Sequence, residues 1–258
     1  MTRRAHCSGR CNIAHSIETV ALTTSTNADL LQRAQQGAPE GIWLRAEQQQ
    51  AGRGRLQRNW ASPLGNLYIS TIVRLRHDDP SPATLALVAG LAFHSTAAHW
   101  LGNSVPMLKW PNDLLVNGVK LGGILLERTG DAVVAGLGMN ITSAPDLPDR
   151  ETIALHDLKG GKTATAELAA EKLAESFAAT LKLWRDPQRG LGAIIQEWEN
   201  CAHPRGTALS VTGSDGKKLA GIFDGLAPDG ALRLRDGDGN THMVNAGDVD
   251  LLVQTGND

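Results

Sequence analysis

Apolar and polar positions switch between two periods along the 258-residue chain, and the switches predict a protein of mixed α and β structure. Ser16 to Leu22 reads as a short strand. Asn27-Ala28-Asp29 then opens an amphipathic helix with Leu30, Leu31 and Ala34 on its apolar face, which stops at Gly37-Ala38-Pro39. Ile42 to Ala46 alternates as a strand. After the turn Ser62-Pro63-Leu64-Gly65-Asn66, Leu67 to Leu75 is rich in apolar and β-branched residues with a period near two, and reads as a second, buried strand. Ser81-Pro82 supplies an N-cap and a proline at the first helical position for a long helix reaching about Leu101-Gly102.

Asn117-Gly118, set between Leu114-Leu115-Val116 and Val119-Lys120-Leu121, is a type I′ hairpin signal that places Lys120 just past a tight turn. Ile124 to Arg128 and Ala132 to Gly138 read as further strands. Their short links favour an antiparallel sheet over a Rossmann-like array. Residues 164–184 and 190–202 read as helices, with Trp184 and Trp198 as core anchors. From about Pro204, Ser214-Asp215-Gly216, Pro228-Asp229-Gly230 and Asp236 to Asn240 punctuate short alternating segments, the pattern of a small all-β module.

Composition narrows the class. With 41% apolar and 20% charged residues the chain is an ordinary globular protein, and no apolar run approaches the ~20 residues of a membrane helix. The start lacks the apolar core of a signal peptide, and three cysteines (7, 11 and 201) are too few for a disulfide framework, so a cytoplasmic location is expected. His6, Cys7, Cys11 and His15 match no standard zinc spacing. The net charge of -2 argues against a nucleic-acid binder.

The positive charge is instead local. From Gln48 to His77 there is no acidic residue, while Arg53, Arg55, Arg58, Arg74 and Arg76 all fall in that window. The stretch from Gln49 to Trp60 sets three of these guanidiniums and an indole on a loop with Gly52 and Gly54, where φ > 0 and a close approach to a ligand are expected. Each arginine offers a planar donor fork suited to carboxylate or phosphate oxygens. Such a loop is suited to closing over a small anion.

Other motifs fail. Gly160-Gly161-Lys162-Thr163 ends like a phosphate loop, but His156 stands where the first glycine is required. Gly136-Leu137-Gly138 lacks the third glycine of a dinucleotide fingerprint and reads better as a strand end where backbone approaches a ligand. Asp236, Asp238 and Asn240 begin like a calcium loop, yet Thr241 and Gly247 replace its turn glycine and bidentate glutamate, so a hairpin turn is expected. A second cluster is more coherent: Lys109-Trp110-Pro111-Asn112-Asp113, followed by Lys120-Leu121-Gly122-Gly123-Ile124-Leu125. Lys120, among apolar residues and beside two glycines, is suited to face a ligand; Asp113 is suited to pin a lysine, hold a metal or cap a turn.

Four segments, in order and spacing, carry a resemblance to the biotin–protein ligases, also called holocarboxylase synthetases: Thr24 to Asn27, Gln49 to Trp60, Lys109 to Asp113 with Lys120 to Leu125, and Gly136 to Asn140. The resemblance spans roughly residues 15–255. It implies an α+β fold: a class II synthetase-like catalytic domain over 15–203, with a mixed, largely antiparallel sheet flanked by helices, and a small SH3-like β-barrel over 204–258. Residues 1–14 would form a ragged extension.

By that resemblance, Ser25, Thr26, Asn27 and Gln49 would bind biotin, joined by Arg53, Gly54, Arg55, Trp60, Lys120, Gly122 and Gly123. Arg55, Arg58, Trp60, Lys109, Asn112 and Asn140 would bind ATP, and Lys120, Arg53, Arg55 and Asp113 would be catalytic, with Mg2+ arriving on the ATP phosphates. The implied reaction makes biotinyl-5′-AMP and transfers biotin to a lysine of a biotin carboxyl carrier protein; a homodimer is left open. Only about fifteen residues precede the catalytic region, so an N-terminal DNA-binding domain is not expected. A lipoate ligase would share the fold and the adenylate chemistry, but the paired-arginine loop ending in Trp60 and the two lysine-bearing segments fit biotin better. A non-catalytic biotin- or adenylate-binding module would lack Lys120 or the arginines, and all are present. The loop from Gly52 to Trp60 is expected to be poorly fixed without ligand and ordered with biotin or its adenylate.

Overall fold

The computed structural model describes residues 16–103, 105–148, 150–213 and 216–252. The candidate cysteine–histidine cluster at 6–15, and Ser214 and Asp215 of the first β-module turn, lie outside them. Twelve strands and four α-helices follow in the order β1 (Ile17–Thr23), α1 (Thr26–Gln35), β2 (Trp43–Gln49), β3 (Leu67–Arg74), α2 (Leu85–Leu101), β4 (Pro106–Lys109), β5 (Asp113–Val116), β6 (Val119–Thr129), β7 (Ala132–Met139), α3 (Ala166–Trp184), α4 (Gly190–Asn200), β8 (Ala208–Thr212), β9 (Lys218–Leu226), β10 (Leu232–Arg235), β11 (Thr241–Val244) and β12 (Asp248–Leu251).

The first seven strands form one sheet in the order β1-β2-β3-β7-β6-β5-β4. Only β1 and β2 run parallel; every other neighbour is antiparallel. The mixed, largely antiparallel sheet is as expected. Alternation along its strands separates two apolar layers. Trp43, Ile69 and Val73 face α2 and α3 in the larger layer, whereas Leu44, Ile72 and Val134 face Leu30 and Ala34 of α1 in the smaller. Helix α2 is buried nearly all round, which explains its almost unbroken apolar sequence. The last five strands form a second antiparallel sheet, ordered β11-β10-β9-β8-β12. Its inward residues Leu209, Val211, Phe223 and Leu232 join the larger layer, so the two sheets share a continuous core.

Three local expectations are corrected. The first helix is capped by Ser25, in extended conformation and accepting the Ala28 N–H, so Asn27 lies in the first turn instead of preceding it. Ser81 makes no side-chain cap; Pro82–Thr84 form a single tight turn before α2 begins. Val119-Lys120-Leu121 and Ile124 to Arg128 are one strand, because Gly122 and Gly123 keep their ladder partners on both sides. The hairpin itself is as expected, with φ of 52° at Asn117 and 80° at Gly118. The Asp236 turn also reads as a hairpin: its carboxylate accepts backbone N–H groups from Asp238 and Asn240 between β10 and β11.

Candidate active site

A cavity of about 290 Å3 opens where the N-terminus of α1 meets the ends of β2, β6 and β7. One wall is neutral and hydrogen-bonded. Because Ser25 caps α1, Thr26 and Asn27 turn inward against the sheet, where both are buried. Gln49 Oε1 accepts the Thr26 N–H at 2.9 Å, Thr26 Oγ lies 2.7 Å from Ser70 Oγ, and Ser70 donates to Asn27 Oδ1 at 2.6 Å. Asn27 Nδ2 in turn donates to Glu127 at 2.9 Å. A Cβ on Gly136 would lie 2.1 Å from Asn27 Oδ1, so glycine there is required by the close approach of the amide.

The opposite wall is cationic. Asp113, buried at the start of β5, receives Lys120 from β6 in a tight contact and Lys109 at 3.1 Å from β4. Burial raises the cost of its charge, but the two ammonium groups outweigh that and hold the carboxyl below its usual range. Burial likewise pulls the Lys120 ammonium down, against the support of Asp113. The Lys120 ammonium stands 5.6 Å from the Trp60 ring centroid, a cation–π distance. Trp60 sits on a glycine floor: a Cβ on Gly138 would come within 2.7 Å of the indole, and one on Gly123 within 3.2 Å.

The arginine loop spans the cavity mouth, and its residues Arg53 to Arg58 find partners far away in sequence. Arg53 pairs with Glu127 at 3.2 Å. Arg55 donates to Asn112 Oδ1 and to the Gly247 carbonyl, both at 3.2 Å. Burial pulls its guanidinium below the ordinary arginine value, against the pull of Asp248 and Asp113. Arg58 pairs with Asp248 of the second sheet. Arg74 and Arg76 lie elsewhere, on Asp131 and Glu40.

The expected glycine conformations are corrected. Gly54 is extended at φ -102°, and neither it nor Gly52 takes positive φ; the turn is made by Leu56 at 54° and Gln57 at 59°. Gly52 serves close approach instead, since a Cβ there would lie 2.7 Å from the Trp60 carbonyl. Two left-handed non-glycine residues cost on the order of 1 kcal/mol or more each, so the tip is strained.

Most residues expected at the site line this one cavity: Ser25, Thr26, Asn27, Gln49, Arg53, Gly54, Arg55, Arg58, Trp60, Asn112, Asp113, Lys120, Gly123 and Asn140. Two do not. Lys109 turns to Asp113 and the Val249 carbonyl, and the open side of Gly122 faces Phe93 of α2. Sequence reasoning missed Ser70 and Glu127 behind the wall, and Ala61, Tyr68, Ile69, Pro145, Leu147, Arg150, Thr152 and Asp248, which also line the cavity. Ser70, a lone polar residue in an apolar strand, was the available signal; the 145–152 segment and Asp248 carry no local one.

The carboxylates around the cavity are engaged: Asp113 by two lysines, Glu127 by Arg53 and Asn27, Asp248 by Arg58. Among the described residues no cluster of three or more His, Cys, Asp or Glu could hold a metal ion. The donor set does not suit a protein-held magnesium, and suits one carried on a nucleotide's phosphates.

The profile of the Biotin/lipoate A/B protein ligase family matches residues 19–141, and that of the Biotin protein ligase C terminal domain matches 210–252. The chain is 38% identical to the biotin–acetyl-CoA-carboxylase ligase of Mycobacterium tuberculosis over 90% of its own length and 88% of that protein's. It is 33% identical to the enzyme of the same name from Paracoccus denitrificans, over 89% and 98%. The bifunctional ligase/repressor of Escherichia coli matches at 33%, over 92% of this chain and 74% of that one. Among solved structures, a biotin protein ligase from Aquifex aeolicus in complex with biotin and ATP superposes with a TM-score of 0.80 at 22% identity, covering 92% of this chain and 99% of the other. With these curated relatives above 30% identity over most of their length, and the fold matched over 92% of the chain, the chain belongs to the biotin–protein ligase family.

Proposed function

We infer that this chain activates biotin with MgATP to biotinyl-5′-AMP and transfers the biotinyl group to a lysine of a biotin carboxyl carrier protein. The observation that carries the reading is the two-sided cavity: a neutral hydrogen-bonded wall at Ser25, Thr26 and Gln49 faces a largely buried Lys120 and an arginine loop. Biotin is two-sided in the same way, with a neutral ureido ring at one end and a carboxylate at the other. A largely apolar ligand with few polar groups needs this small number of placed partners.

In the first half-reaction the biotin carboxylate oxygen attacks the α-phosphorus of ATP, the bond to the bridging oxygen breaks, and pyrophosphate leaves. Lys120 and Arg55 meet the charge that grows on the phosphoryl oxygens, and Arg53 neutralises the carboxylate as it approaches. Arg58 reaches the departing pyrophosphate by leaving Asp248. Asn112 and Asn140 position the nucleotide. In the second half-reaction the carrier lysine amine attacks the acyl carbon and AMP leaves. Asp113, held ionised between two ammonium groups, is a poor base; its role is to hold Lys120 in place. Cations aimed at developing charge contribute to the transition state more than to the ground state. Closure of the arginine loop would exclude the water that hydrolyses a mixed anhydride. Residues 15–203 form the catalytic unit and 204–258 the accessory β module; the protein acts in the cytoplasm, as a monomer or homodimer.

The test is biotin-dependent ATP–pyrophosphate exchange, run in parallel with lipoate. Exchange with biotin is expected, with Lys120→Ala and Arg55→Ala each lowering the rate on the order of 10² to 10³. Exchange with lipoate and not biotin would refute the substrate; full activity in both variants would refute the site.

A further inference from the structure

We propose that Glu127, which does not line the cavity, is a positioning residue that sets the hydrogen-bond polarity of the neutral wall and turns Thr26 into an acceptor toward the ligand. The proposal rests on the biotin reading above and deepens it. A carboxylate only accepts hydrogen bonds. Glu127, already paired with Arg53, therefore draws the NH2 of the Asn27 amide to itself at 2.9 Å, which leaves Asn27 Oδ1 facing Ser70 at 2.6 Å. Ser70 has one hydroxyl proton, and Asn27 takes it. In the 2.7 Å contact between Ser70 and Thr26 the donor must then be Thr26. Its other neighbour, Gln49 Oε1 at 3.2 Å, is also an acceptor, so the Thr26 proton points into the protein whichever partner holds it.

The consequence is chemical. Thr26 Oγ presents lone pairs to the cavity, and a ligand must bring an N–H to meet them. Ser25, whose oxygen accepts the Ala28 N–H, keeps its own proton to donate to a carbonyl. A cyclic urea carries both an N–H and a C=O; a dithiolane ring carries neither. The Thr26 polarity follows from the orientation of the Asn27 amide, which Glu127 sets at 2.9 Å with the Leu125 carbonyl as a longer second acceptor at 3.4 Å, and Asn27, with both ends of its amide engaged, transmits it instead of contacting the ligand as a free donor. Flipping the Asn27 amide would leave Ser70 facing NH2 and turn the Ser70 proton onto Thr26, occupying a Thr26 lone pair that otherwise meets the ligand.

The experiment compares Glu127→Met, Glu127→Gln, Ser70→Ala and the Glu127→Met/Ser70→Ala double variant in biotin-dependent pyrophosphate exchange, with thermal unfolding followed alongside. Glu127→Met should raise the KM for biotin about tenfold, the worth of one misdirected buried hydrogen bond, with kcat at saturating biotin within about twofold. Glu127→Gln, whose amide oxygen still accepts from Asn27, should recover to within about threefold. Ser70→Ala cuts the same chain and should raise the KM alike, so the double variant should be no worse than the more impaired single one. An unchanged biotin KM in Glu127→Met, multiplicative effects in the double variant, or a fall in kcat at constant KM would overturn the proposal while wild-type exchange on biotin left the substrate standing. Wild-type exchange on lipoate alone would overturn both. Should Glu127→Met fail to fold, the Ser70→Ala and Glu127→Gln pair still decides.

Discussion

The two sides of the cavity are held by different physics. At the α1 side, Thr26, Asn27 and Ser70 are buried and their hydrogen bonds run between short, stiff side chains on helix and strand. At the loop side, Arg53 and Arg58 are about a third to a half exposed and pair with partly exposed carboxylates. Buried polar groups are costly to leave unsatisfied, whereas exposed ion pairs contribute ~1 kcal/mol or less and exchange partners easily. The wall is thus suited to wait, preformed, for a neutral ring, and the loop to trade protein carboxylates for the anions of a substrate. Strain at Leu56 and Gln57 adds to the loop's readiness to rearrange.

The comparison is broken most directly at the wall. Gly136→Ala sets a methyl group 2.1 Å from Asn27 Oδ1, with backbone on one side and a fully engaged amide on the other. Displacing Asn27 forfeits its bonds to Ser70 and Glu127, so a loss of roughly 2–4 kcal/mol in stability is expected, with a rise in biotin KM larger than any rise in ATP KM. Denaturant unfolding and exchange kinetics measure both. A variant as stable as wild type with normal biotin KM would show that the wall is as adaptable as the loop.

What the sequence made legible follows the same division. Strands, helices and the hairpin were readable because periodicity and turn chemistry are local: Asn117-Gly118 announces its turn wherever it stands, whereas most of the cavity lining was legible only through the family resemblance that its four segments carry. The partners of the arginines were not. Glu127 and Asp248 reach Arg53 and Arg58 across 74 and 190 residues, and no local pattern marks that pairing. Gly52 and Gly54 misled for a related reason. A glycine is needed for positive φ or for close approach, and only the fold shows that Gly52 serves the second while Leu56 and Gln57 carry the turn.

A smaller effect distinguishes the buried cation from the exposed ones. Lys120 loses its proton more easily than an ordinary lysine because it is buried, and Asp113 opposes that loss. The ammonium form is the one that stabilises developing negative charge. Exchange should therefore fall as pH rises through the Lys120 pKa, at a pH below the ordinary lysine range. Asp113→Asn removes the opposing charge, so its alkaline limb should move lower still. A limb that stays in place would separate Asp113 from the proton on Lys120.

The smallest effect belongs to the loop's own ion pair. Arg58→Ala removes a contact between a half-exposed guanidinium and Asp248, and exposed pairs of this kind contribute ~1 kcal/mol or less. Its Tm should therefore fall by no more than about 2–4 °C. Its ATP KM should still rise several-fold, because the same guanidinium is needed on the phosphates once it leaves Asp248. Added salt should raise the wild-type ATP KM in the same direction and the biotin KM by less, since biotin brings a single charge to Arg53 and seats its ring on a neutral, buried wall that salt screens little. Thermal unfolding and exchange at two ionic strengths decide this. If Arg58→Ala costs more stability than Gly136→Ala, the loop is a structural element of the fold, and an exchange of protein carboxylates for substrate anions cannot be how the site fills.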